Sequence, residues 1–156
     1  MNKLEHLKGK RILFFSVQTF NLEKDIVKQL EKHGALVTYF DERPANNNFT
    51  KGMIRINRNF LKNRIKKYYR KIFNSIKNEK FDYLLVNRGE VIPQDFLEKF
   101  IAIQPECKRI FYTWDSFGNH SHGLSILDYF HKKFTFDRKD SIKYNIGFRP
   151  LYFTDK

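Results

Sequence analysis

The chain has 156 residues, 41% hydrophobic and 17% aromatic, and carries a net charge of +13. Its length suits a single domain, and its apolar content excludes a disordered chain. So strong a positive balance points to an anionic partner: nucleic acid, a membrane surface or a phosphorylated molecule.

Cys107 is the only cysteine, which excludes an internal disulfide and favours a reducing compartment. No apolar run reaches the roughly 20 residues of a spanning helix. The first ten residues, MNKLEHLKGK, lack the apolar core of a signal peptide. A cytoplasmic protein is expected.

KRILFFSV (10–17) reads as a buried strand. NLEKDIVKQLEKHG (21–34) places Leu22, Ile26, Val27 and Leu30 at helical spacing, with Asn21 and Gly34 as caps. ALVTYFDER (35–43) is β-branched and aromatic, a second strand, and PANNNF (44–49) is a loop. Residues 51–80 predict one long helix, with Ile54, Leu61, Ile65, Tyr68, Ile72 and Ile76 on one stripe. FDYLLVNRGE (81–90) is a third strand, PQDFLEKFIAI (93–103) a helix and KRIFYTW (108–114) a fourth strand. SILDYFHK (125–132) predicts a short helix, KFTFDR (133–138) a fifth strand, DSIKYN (140–145) a helical turn and GFRPLYF (147–153) a sixth strand. The alternation implies an α/β fold: a Rossmann-like, doubly wound, mainly parallel sheet of about six strands, with helices on both faces.

Ligands of such sheets bind outside the carboxyl ends of the strands. That edge would hold Asp41, Glu42 and Arg43 at the end of the second strand, and Ser16, Gln18, Asn87, Arg88, Glu90, Trp114, Ser116, Asp137 and Arg138 at the others, with His120 and His122 in the loop after Trp114. All but Asp41, Glu42 and Arg43 are the candidate substrate-binding residues. Asp115 ends the apolar run FYTW; it caps the next helix or stands at the mouth of a cleft. The first strand–helix turn, SVQTFNLEK, has no glycine, which argues against a dinucleotide site. Gly89 is a close-approach turn or a plain one. His120 and His122 form a His-x-His pair with no third ligand nearby, so no metal is expected.

Lys51 to Lys80 holds eleven Lys or Arg and one acid, Glu79. Arg55, Arg58, Lys62, Arg64, Lys66, Lys67, Arg70 and Lys71 are its candidate membrane- or anion-binding residues. The reading left open beside this is a solvated outer face. Tyr68 and Tyr69, between the cations, could meet lipid, stack bases or pack. Nucleic acid is disfavoured as a partner, because no helix-turn-helix, zinc or RNA-sheet signature occurs. A receiver-like signalling domain fits poorly, since the first strand does not end in an acidic pair.

YTWDS (112–116), FTFDRKD (134–140) and FRPLYF (148–153) resemble, in order and spacing, segments of bacterial CgeB-like glycosyltransferases of lipopolysaccharide and capsular polysaccharide biosynthesis. The resemblance covers most of the chain and is sharp from about residue 81 onward. It implies the N-terminal, acceptor-side half of a GT-B enzyme, a single domain over 1–156 that is inactive alone. No cofactor is expected in this half, and a nucleotide-sugar donor would belong to a second domain. The implied partner is a saccharide or lipid-linked acceptor at the cytoplasmic membrane face. Asp115 would then be the catalytic base, a binder of sugar hydroxyls beside Trp114, or a cap. Asp140 would cap SIKYN. The alternative is a non-catalytic module that binds an anionic ligand, membrane surface or nucleic acid through the basic helix.

Overall fold

The computed structural model describes residues 5–45 and 61–151. Six strands form one sheet: β1 (Arg11–Ser16), β2 (Leu36–Asp41), β3 (Tyr83–Asn87), β4 (Lys108–Thr113), β5 (Lys132–Thr135) and β6 (Gly147–Phe148). Their order is β2-β1-β3-β4-β5-β6, and every pairing is parallel. The helices are α1 (Leu22–Lys32), α2 (Lys62–Ile76), α3 (Gln94–Ile103), α4 (His122–Ile126) and α5 (Arg138–Tyr144). This is the expected α/β doubly wound architecture. The chain leaves β1 toward β2 on one side and returns to β3 on the other, so the winding reverses between β1 and β3. Their carboxyl ends flank the crevice where ligands of such sheets bind.

Strand parity decides which residues face which helices. Leu13 and Phe15 of β1, Leu84 and Val86 of β3 and Phe111 of β4 join one core with residues of α2, α3 and α4. Ile12 and Phe14 point the other way and meet Ile26, Val27 and Leu30 of α1. Phe14, Phe15, Phe100 and Phe111 are fully buried. Each such side chain contributes about 1.5–3 kcal/mol by leaving water. Phe15 meets Phe96 edge-on at 5.5 Å, and Phe111 meets Phe130 at the same separation, so the sheet and α3 are locked through aromatic contacts.

Several boundaries depart from the sequence reading. The long helix is seen as α2, Lys62–Ile76; the rest of its predicted N-terminal part, including Arg55 and Arg58, lies outside the described residues. Its buried stripe is Ile65, Tyr69, Ile72 and Ile76, with Tyr69 in the place expected for Tyr68. The helix expected at 125–132 starts at His122, and Leu127–Tyr129 is a 3-10 turn. Asn21 adopts φ 63° and makes no side-chain cap; instead the buried Glu23 accepts from the Thr19 N–H at 3.1 Å. Asp137, rather than Asp140, caps α5, accepting from the backbone of Lys139 at 2.7 Å. No described helix is long and apolar enough to cross a membrane.

Candidate functional site

β2, β3 and β4 end at the same edge of the sheet, β1 lying between the first two, and the residues that follow them meet one another. Glu42, the first residue after β2, is completely buried. Its carboxylate accepts backbone N–H bonds from Gly89 at 3.0 Å and from Val91 and Ile92 at 3.2 Å. The turn after β3 is therefore wrapped around one acid. Burial, then the nearby Glu90 carboxylate, pushes the Glu42 pKa up to about 7, although the backbone donors pull it down. Arg43 lies beside it and grips Glu90 with two bonds, Nε at 2.5 Å and Nη2 at 3.0 Å. Burial alone would raise the Glu90 carboxyl; the bond and charge of Arg43, with Arg88 and His120, outweigh it and hold the pKa below its ordinary value.

Arg88 is the centre of this edge. Its backbone has φ 85°, a left-handed conformation for a residue with a Cβ. It keeps only 9% of its exposure, and its Nε–H is buried without a hydrogen-bond partner among the described residues. Nη2 lies 3.2 Å from Asp115 Oδ2 and 3.7 Å from Glu90 Oε1. His120 closes the group: Nε2 is 2.9 Å from the same Asp115 oxygen, and Nδ1 is 3.6 Å from Glu90. Nε2 also touches the Arg88 guanidinium. It can donate to Asp115 only as N–H, and accept from Arg88 only as a bare nitrogen. The proton on His120 is thus coupled to how closely Arg88 and Asp115 approach.

Asp115 is a hub. Oδ1 accepts from the Ser116 backbone at 2.9 Å and the Asn119 amide at 3.0 Å, while Oδ2 faces Arg88 and His120. With both oxygens occupied, the geometry favours a positioning role over that of a base. The other expected residues divide. Asn87, Arg88, Glu90 and His120 gather at this edge, and Trp114 and Ser116 border it half-buried. Ser16 does not reach it: the residue is fully buried and its hydroxyl turns onto the Val17 carbonyl. Gln18 is exposed in the neighbouring β1–α1 loop. His122 faces the Ile92 carbonyl at 2.7 Å and the Ser125 hydroxyl, which makes it a staple of α4. Asp137 is consumed as a cap, and Arg138 lies over the Phe148 ring at 4.7 Å.

Glu42 and Arg43 close the second expected strand and so belonged to the expected edge, but not to its candidate binding residues. The signal was present in two charged residues closing an apolar strand. Their partners lie 47 or more residues further along the chain, which no local pattern reveals. Among the described residues, no group of three or more His, Cys, Asp or Glu could hold a metal ion.

No family model matches the chain, and no curated protein matches it. A solved structure that does align is a response regulator receiver domain protein (CheY-like) from Methanospirillum hungatei JF-1. It shares 20% identity over 88% of this chain and 91% of that one, with a TM-score of 0.42. The resemblance to a GT-B glycosyltransferase is corrected: no transferase family model and no curated transferase matches the chain, so the three short motifs bring no transferase with them. The acceptor-binding function is corrected accordingly. The donor and the saccharide acceptor, which rested on that resemblance alone, are not taken further. At this similarity the receiver domain lends no function either, and β1 ends in Ser16, followed by Val17, rather than in an acidic pair.

Proposed function

We propose that the carboxyl edge of the sheet binds a small carboxylate- or phosphate-bearing ligand at Arg88. The observation that carries this is Arg88 itself: a strained, buried arginine whose Nε–H has no partner among the described residues, at the point where the winding reverses. A non-glycine residue held at positive φ costs about 1–3 kcal/mol, and such residues cluster at ligand clamps. A guanidinium matches the paired oxygens of a carboxylate or phosphate. In the free protein Asp115 occupies one side of Arg88, and it is the more exposed partner, at 25% for its side chain against 10%. An incoming anion takes the place of the Asp115 oxygen, and the Nε–H supplies a further donor. Glu90 and Arg43, buried and mutually satisfied, hold the back wall.

Trp114, the only tryptophan, adjoins Asp115 and is half-buried. Its fluorescence is therefore the natural readout. Titration with inorganic phosphate and with succinate should give a saturable change for at least one of them. The response should vanish in Arg88→Gln, provided that variant keeps its circular dichroism. A folded Arg88→Gln that responds like the parent, or a parent with no saturable response to either anion, removes the proposal. The location belongs to the same reading: a cytoplasmic protein held peripherally at a membrane, supported by its lone buried cysteine and by the charge on α2.

A further inference from the structure

We infer that the outer face of α2 is a docking surface for an anionic membrane. Six residues of this helix, Lys62, Arg64, Lys66, Lys67, Arg70 and Lys71, are exposed cations. None makes an ion pair with a described residue, whereas Lys10, Arg11, Arg43, Arg88 and Lys133 all do. The helix has no acid in its first turn to complement the dipole, and Lys62 and Arg64 stand there instead. Lys62–Lys66, Lys66–Arg70 and Lys67–Lys71 are like charges four apart, which oppose helix formation. An anionic partner relieves all of these repulsions together.

Two features favour a flat lipid surface over a duplex groove. First, the aromatic residues are spent. The Tyr68 hydroxyl donates to the Asp41 carbonyl at 2.6 Å and that of Tyr69 to the Glu42 carbonyl at 2.8 Å, so neither ring is free to stack on bases. Second, the two flanks differ. At 3.6 residues per turn, Lys62, Lys66 and Arg70 descend the flank of Phe73, whose ring meets Phe96 of α3. Arg64, Lys67 and Lys71 descend the other flank, on the side of Tyr68 and the outer strand β2. A groove wall beside the first flank would meet α3, where charge is mixed, with Asp95, Glu98 and Lys99 exposed on it. A plane resting on the second flank meets Arg64, Lys67 and Lys71 of a helix that carries no acid. The apolar stripe of α2 is buried in the core, so adsorption is electrostatic, without insertion of the helix.

The test is sedimentation with vesicles of phosphatidylglycerol mixed into phosphatidylcholine, against pure phosphatidylcholine. The protein should bind the anionic vesicles at low salt, release them as salt rises, and ignore the neutral ones. Each cation contributes about fivefold to such a partition constant, so Arg64→Gln/Lys67→Gln/Lys71→Gln together should lower it about a hundredfold. The triple variant loses like-charge repulsion and should fold at least as well as the parent. Lys28→Gln/Lys32→Gln/Lys139→Gln removes equal charge elsewhere and should weaken binding far less. Equal loss in the two triples would reduce the effect to net charge and overturn the inference. So would binding to neutral vesicles, no vesicle binding at low salt, or tighter binding to duplex DNA than to anionic vesicles.

Discussion

A methyl group on Gly89 would lie 2.5 Å from Cε2 of Phe111, on a backbone held at φ 64°. Of the two roles open to this glycine, the structure selects close approach. The turn that carries Arg88 must pass directly over the Phe111 ring. Gly89→Ala combines left-handed strain, about 1–2 kcal/mol, with overpacking, about 1–3 kcal/mol. A loss of about 2–5 kcal/mol is expected, read as a fall of roughly 4–20 °C in the thermal midpoint. An unchanged midpoint would mean that the turn has room the structure does not show. Cys107 illustrates the opposite case, a residue that fits its place without strain. It is buried, its thiol pKa is pushed up to about 12 chiefly by burial, and it serves as packing.

Among the elements, α5 and α2 show how far local pattern reaches. FDRKDS contains two aspartates that could each begin a helix. The choice falls on Asp137 because Asp140 is needed elsewhere: its carboxylate accepts the Phe117 N–H at 2.8 Å and ties α5 to the loop that carries Asp115. Asp137→Ala should cost about 1 kcal/mol and Asp137→Asn much less, measured by urea unfolding. Equal stability of the two would show that the Ser141 hydroxyl, which donates to the Ile146 carbonyl, holds the helix without its cap. In α2, periodicity identified the apolar stripe but misplaced one tyrosine. Tyr68 and Tyr69 differ by one step on the helix, and both hydroxyls reach carbonyls at the end of β2, but only the Tyr69 ring is buried, with Tyr68 half-buried beside it.

For the molecule as a whole, the buried acids set the response to pH. Glu42 has its pKa raised to about 7 in the fold. Between its ordinary value and 7, the folded chain keeps a proton that the unfolded chain has released. Stability from this group therefore falls as pH rises through that window. Glu90 acts in the opposite sense: its pKa is lowered, so its contribution is present above the unfolded value and is lost as pH falls through the folded one. The optimum should sit on the acid side of neutral, with a higher urea midpoint near pH 6 than near pH 8. Glu42→Gln should flatten the neutral limb, because an amide does not titrate. Superposed parent curves at the two pH values would mean that Glu42 is ionised in the fold.

The order of strands and helices, the single reducing-type cysteine and the basic apolar-striped helix were all readable from residue types and spacing, because these properties depend on neighbours within a few turns of chain. So was the sheet edge that carries Asn87, Arg88, Glu90 and Asp115, since parallel winding puts every strand's carboxyl end on the same side. Only the tertiary structure decided the rest. It brought Glu42 and Arg43 to the turn after β3, took Asp137 for a cap and His122 for a staple, and left Arg88 strained and short of a partner. Each of those outcomes depends on a hydrogen bond between residues distant in the chain or on a choice between two equally suited side chains, and local pattern carries neither.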